Sequence, residues 1–191
     1  MRIVTGTLKG RVIPLSRRHG DVRVTSSRLK GSFFDMLGAD LSATTFLDLC
    51  SGTGQMALEA SSRGARVVAA EPDRQRFELL KKLLTDWKVD GLELFNAKAQ
   101  IVIQRLRDQR RQGFDGIFID PPYGATVAAE PLVVVLLQGV VDAELCADRG
   151  LVAVQHPMRL QLPESVGQLQ RAAKQRRFGD SLLSLYEHRS A

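Results

Sequence analysis

Two rhythms of apolar residues alternate along this chain. Short dense runs occur at 45–50 (TFLDLC), 66–71 (RVVAAE), 92–96 (LELFN), 114–120 (FDGIFID) and 151–155 (LVAVQ). Runs of that length, closed by glycine, proline or charged residues, predict buried strands. Between them apolar residues recur at helical spacing. Residues 73–87 place Phe77, Leu80, Leu83, Leu84 and Trp87 on one face, the signature of a helix packed on a core. Residues 98–111 direct Ile101, Val102 and Leu106 inward and Arg105, Arg107, Arg110 and Arg111 mostly outward. Helices are also expected over 54–63 and much of 128–146. Near the end, 171–178 and 181–187 read as two strands joined at Gly179-Asp180, a hairpin. Strands alternating with helices predict an α/β fold, a mostly parallel sheet with helices on both faces.

Composition narrows the class. At 191 residues the chain suits one domain with a good core, and 44% hydrophobic against 25% charged residues is ordinary for a soluble globular protein. Lys and Arg exceed Asp and Glu by 27 to 21, a net charge of +6 that favours a polyanionic partner, nucleic acid above all. Cys50 and Cys146 are far apart, with neither metal spacing nor a disulfide framework, and no metal is expected. The first residues lack an apolar core of signal-peptide length, and the longest apolar stretch, 132–137, is too short to span a bilayer. A cytoplasmic protein, monomeric and without a membrane partner, is the expectation.

Chemistry concentrates at two strand ends. The run 114–119 ends in Asp120-Pro121-Pro122-Tyr123, an acid on a stiff proline turn beside an aromatic ring. A plain strand-terminating turn fits this tetrapeptide; so does a clamp for a planar amine. In the clamp, Asp120 accepts one N–H, the Pro121 carbonyl accepts the other, and Tyr123 stacks on the ring that bears the amine. Behind the first strand lies Asp48-Leu49-Cys50-Ser51-Gly52-Thr53-Gly54, whose glycines permit a tight turn and close approach of a ligand to the backbone. The helix after it aims its N-terminus at the same place. Glu71 ends the second strand, where an acid can accept bonds from two ribose hydroxyls. Gly52-x-Gly54-x-x-Ala57 also fits a dinucleotide fingerprint. A dehydrogenase, however, would leave residues 120–123 unused.

Together these motifs resemble the Rossmann-like class I methyltransferases. Further stretches at 1–12 (MRIVTGTLKGRV), 22–37, 46–65, 114–124 and 177–186 (RFGDSLLSLY) resemble one group among them, the bacterial 16S ribosomal RNA guanine-N2 methyltransferases of small-subunit methyltransferase D type. The resemblance implies a seven-stranded, mostly parallel sheet with a C-terminal antiparallel hairpin. It also implies one domain over 1–191, with 1–40 an N-terminal extension contributing to the RNA and cofactor site. S-adenosylmethionine would be held by Asp48, Ser51, Gly52, Gly54, Glu71, Asn96, Ala97 and Asp120, and catalysis carried by Asp120, Pro121 and Tyr123. Arg17, Arg18, Arg23, Thr25 and Arg28 would meet the RNA, which is naked 16S RNA or a small-subunit assembly intermediate. The chain departs from the group's pattern at Val24, Ser27 and Gly31, at Asn96 where an acid is usual, and at Gln155 where Glu is common. Two other readings stand beside this one: an adenine-N6 or other nucleic-acid amino methyltransferase, and a basic RNA-binding module of the same fold without catalysis. His19, His156 and His188 have no catalytic partner pattern, and Lys174, Arg176 and Arg177 read as edge-strand charges.

Overall fold

A computed structural model of the chain describes residues 1–14 and 27–189. Five parallel strands form the centre of one sheet. They are β1 (Thr45–Asp48), β2 (Arg66–Ala70), β3 (Leu92–Phe95), β4 (Phe114–Ile119) and β7 (Cys146–Pro157), lying in the order β3-β2-β1-β4-β7. The chain builds outward from β1 to β3, then returns to β1's other side with β4. The topological switch therefore falls between β1 and β4, where ligands bind at the carboxyl ends of such sheets.

Beyond β7 the sheet turns antiparallel. Strand β11 (Ser181–His188) pairs with β7, with β9 (Leu169–Arg171) and with β10 (Arg176–Phe178), while β8 (Ser165–Val166) pairs with β9. The expected hairpin is present as β10–β11, with Gly179 at φ 62° in its turn. Arg176 and Arg177 lie on its short outer strand, and Arg176 reaches Ser32 on α1 (Ser27–Leu37). The sheet counts nine strands among the described residues, because the short β8 and β9 complete the antiparallel edge.

Helices α2 (Gln55–Ser62), α3 (Arg74–Trp87), α4 (Ala99–Asp108) and α5 (Leu132–Asp142) follow the strands as expected. Asp73 caps α3 by accepting from the Arg76 N–H at 2.9 Å. In α4, Ile103 rather than Ile101 turns inward; Ile101 is 43% exposed, since its position falls beside the apolar stripe of Val102, Ile103 and Leu106. Helix α5 starts with its apolar run at Leu132, inside the expected 128–146. Residues 126–131 first form a small hairpin, β5 (Thr126–Val127) with β6 (Glu130–Pro131), and Pro131 then opens the helix. One core cluster lies under α4 and α5, and a second joins Phe33, Phe34, Phe46 and Phe118 under α1 and α2. The third holds the N-terminal segment, Ile3, Leu8 and Ile13, against Leu58, Leu80 and Leu83. No helix among the described residues is long and apolar enough to cross a membrane.

Candidate active site

At the switch point a cleft of about 540 Å³ opens over the ends of β1, β2 and β4. Its floor comes from the turn after β1. Asp48 is 1% exposed, and its carboxylate accepts from the Cys50 N–H at 3.4 Å and the Ala57 N–H at 3.1 Å. The second of these satisfies an orphan donor in the first turn of α2, which Gly54 leaves without a side-chain cap. Burial raises the Asp48 carboxyl to about 7, against the pull of the Ser51 hydroxyl and the Cys50 and Ala57 amides. Asp48 therefore shapes the turn at some electrostatic cost.

The two glycines of the turn have different reasons. Gly52 lines the cleft at φ 56°. Gly54 does not line it; at φ 83° it opens α2, and a Cβ there would lie 2.0 Å from Leu80 Cδ2. Its requirement is close packing against α3, not approach to a ligand. Thr53 lines the cleft at 1% exposure, and its hydroxyl has no hydrogen-bond partner among the described residues.

Glu71 forms the side wall. Its Oε1 accepts from the Asp73 N–H at 2.8 Å and Arg76 Nε at 3.0 Å. Burial nonetheless raises its pKa, opposed by the Asp73 amide and Arg76. Arg76, five residues on and unremarked in the sequence, thus aligns the acid that ends β2. Asn96 and Ala97 do not line the cleft; Asn96 Nδ2 donates to the carbonyls of Glu71 (2.9 Å) and Pro72 (3.2 Å), bracing the wall from behind. The lining beyond β3 comes instead from Lys98, Ala99 and Gln100. Gln55, Met56 and Phe118 also line the cleft, and no local signal announced them.

Asp120, Pro121, Pro122 and Tyr123 close the other side. Asp120 is half-buried just past Ile119, whose neighbour on β7 is Val154. Pro122 accepts from the Ala125 N–H at 3.1 Å across Gly124, which stands at φ 80°. The Tyr123 hydroxyl donates to Ser181 Oγ at 2.7 Å, and Gln155 Nε2 donates to the same oxygen at 3.4 Å. Tyr123 therefore stands between the cleft and a second cavity of about 340 Å³. The smaller cavity is walled by the proline loop, Gln155, His156, Pro157, Arg159 and Leu160. His156 is buried with Nε2 2.8 Å from Ser184 Oγ, and burial lowers its pKa.

Of the residues expected at RNA, Arg28 is exposed in the first turn of α1, while Arg17, Arg18, Arg23 and Thr25 lie outside the described residues. Residues 1–14 pack on α2 and α3 and line neither cavity.

Acids ending β1 and following β2, a glycine turn between β1 and α2, and a proline loop after β4 define a class I methyltransferase. A hypothetical protein of Thermus thermophilus shares the architecture, with TM-score 0.80 and 26% identity over 98% of this chain and 99% of its own. The chain belongs to the family described as Conserved hypothetical protein 95, whose profile matches residues 1–187. Among its relatives, Ribosomal RNA small subunit methyltransferase D of Haemophilus influenzae is 30% identical over 69% of this chain and 68% of its own. The Bacillus subtilis protein YlbH, provisionally named an rRNA methyltransferase, is 27% identical over 99% of this chain and all of its own.

Proposed function

We propose that this chain transfers a methyl group from S-adenosylmethionine to the exocyclic N2 amine of a guanine in small-subunit ribosomal RNA. The observation that carries this reading is the Asp120-Pro121-Pro122-Tyr123 loop set across the switch point from Asp48 and Glu71, in a family whose relatives include rRNA methyltransferases.

The cleft residues suit the cofactor. Its volume of about 540 Å³ lies within the ~300–1,000 Å³ of small-molecule sites. Glu71 would accept from ribose hydroxyls, and the buried Thr53 hydroxyl, without a partner among the described residues, supports a ligand in the cleft. The acids Asp48, Glu71 and Asp120 share the lining with Arg76 and Lys98, so the cleft offers polar partners of both signs to a charged cofactor. The cofactor supplies an activated methyl, so the protein's own work is positioning. Asp120 and the Pro121 carbonyl take the two N–H groups of the amine and turn its lone pair toward the methyl. The amine's proton becomes strongly acidic only after transfer, so no strong base is needed to receive it. Tyr123, fixed through Ser181, offers its face to the extruded base.

The test is mass spectrometry of 16S RNA nucleosides from cells with the gene, without it, and complemented with Asp120→Ala. One N2-methylguanosine should vanish on deletion and return only with the wild type. An unchanged guanosine profile alongside a missing N6-methyladenosine would transfer the reading to an adenine enzyme.

A further inference from the structure

The second cavity contains a polar atom that nothing above accounts for. Gln155 is 4% exposed and lines the 340 Å³ pocket. Its Nε2 is tied to Ser181, yet its Oε1 is buried without a hydrogen bond, one of three such side-chain atoms among the described residues. A buried unpaired acceptor costs ~1–3 kcal/mol, so its presence calls for a reason. Its place in the sheet gives one. Ile119 of β4 pairs in parallel register with Val154 of β7; continuing that register brings Asp120, just past β4, beside Gln155, still within β7, about 4.8 Å apart along the hydrogen-bonding direction.

We propose that Gln155 selects the target base: its Oε1 accepts the ring N1–H of guanine while Asp120 holds the adjacent N2 amine. This rests on the methyltransferase reading and adds what distinguishes the base. Three RNA bases carry an exocyclic amine, and they differ in the ring atom beside it. In adenine and cytosine the Watson–Crick neighbour is a bare nitrogen acceptor; in guanine it is an N–H donor. An oxygen beside Asp120 pairs with guanine and faces a lone pair in the other two. Rejection of that kind is strong, because the mismatched polar groups stay buried and unpaired. The amide's orientation follows from its neighbours. Ser181 Oγ receives both the Tyr123 hydroxyl and Gln155 Nε2, which leaves the amide oxygen turned away from the serine. That oxygen is shielded from solvent and has no partner among the described residues, so the base edge would supply the bond it lacks.

Two substitutions separate this from a packing role. Gln155→Met keeps the length and removes the acceptor; Gln155→Glu keeps acceptors and removes the donor. Each is assayed by single-turnover transfer of labelled methyl to 16S RNA and small-subunit particles from cells lacking the gene, followed by nucleoside chromatography. Calorimetry with S-adenosylmethionine and thermal unfolding run in parallel. Gln155→Met should lower transfer to guanine about 10- to 100-fold, as expected for losing one base-edge contact. It should also raise the ratio of N6-methyladenosine to N2-methylguanosine, with cofactor affinity unchanged. Gln155→Glu should stay within a few-fold of wild type. Full guanine transfer by Gln155→Met, or loss by Gln155→Glu in a folded protein, overturns the assignment; the latter places Nε2, not Oε1, against the base. Wild-type transfer to adenine alone overturns both this inference and the function it rests on, whereas wild-type transfer to guanine with an indifferent Gln155→Met overturns this inference only.

Discussion

Replacing Glu59 with alanine should loosen the whole N-terminal segment. Glu59 lies on α2, is fully buried, and gathers four groups from three parts of the chain. Its carboxylate accepts from the Val4 N–H at 2.9 Å and the Thr5 N–H at 3.0 Å, and from Arg63 at 3.2 Å. Lys30 of α1 stands 3.7 Å away and donates to the Arg2 carbonyl at 3.1 Å. Lys30 is 2% exposed, and burial lowers its pKa against the counter-pull of Glu59. Alanine would strand two backbone amides and two buried cations. Removing one partner of a buried ion pair costs ~3–5 kcal/mol, and each orphaned amide ~1–3 kcal/mol. These terms overlap, because residues 2–5 can lift away and hydrate once their anchor is gone. About 4 kcal/mol is the reasonable total.

For a chain of this length, each kcal/mol moves the thermal midpoint by ~2–4 °C, so the midpoint should fall by roughly 8–16 °C. Urea unfolding should give the same energy from the shift in midpoint, with the slope little changed. Amide exchange should accelerate most at Val4 and Thr5. Glu59→Gln, which keeps one acceptor, should cost less. Adding Lys30→Met to Glu59→Ala should recover part of the loss, since one stranded cation is removed. A loss below about 1 kcal/mol, with the Val4 and Thr5 amides still protected, would refute the hub reasoning.

The remaining predictions concern the cleft. Asp120→Ala should reduce single-turnover methyl transfer at least ~100-fold, the usual cost of one preorganised polar contact at a reacting group, while calorimetry finds cofactor affinity nearly unchanged. Tyr123→Phe removes the 2.7 Å bond to Ser181 and so should slow transfer several-fold, in line with ~1 kcal/mol; Tyr123→Ala should weaken RNA binding as well. Burial holds the Asp48 carboxyl at about 7 against 3.8, so the folded state binds its proton more tightly than the unfolded chain. The contribution of Asp48 to stability is then greatest below pH ~4 and is lost as pH rises toward ~7. The stability gap between wild type and Asp48→Asn should shift by about 3 kcal/mol across that window, and parallel pH curves for the two proteins would contradict it.

Much of this was legible in the sequence where the chemistry was local. Asp48, Gly52, Glu71 and Asp120 announced themselves because each ends or follows a dense apolar run, and strand ends are where a parallel sheet places its ligands. Gly54 was legible as a turn but not in its reason, which lies in Leu80 of the next helix. Helix α1 carries Gly31 mid-span, and its buried Phe33 and Phe34 declare themselves only against Phe46 and Phe118. Strand β7 runs on both sides of 151–155, since its first residues pair with Phe114 across an irregular register that no period reveals. Ser181 and Gln155 are distant in sequence from the loop they steady, and Glu59 is likewise far from Val4. Contacts of that kind are created by topology, and periodicity does not encode them.

The topology also explains why two cavities share one loop. Strand β4 lies at the switch point, so the loop leaving it borders the β1–β2 wall on one side and β7 on the other. The first wall carries acids and a glycine turn, suited to a cation and a ribose. The second carries Gln155, Pro157 and Leu160, suited to a flat ring with one polar edge. A rigid turn between them is held by Pro121, Pro122 and the Pro122–Ala125 bond; on the proposed function it would fix the distance between methyl donor and amine. Positioning of this kind is worth most when the reagent is already activated and the nucleophile is weak. The antiparallel β11 then acquires a role beyond closing the sheet. Its first residue, Ser181, tethers Tyr123 at the boundary between the chambers, so the C-terminal hairpin braces the loop that separates them.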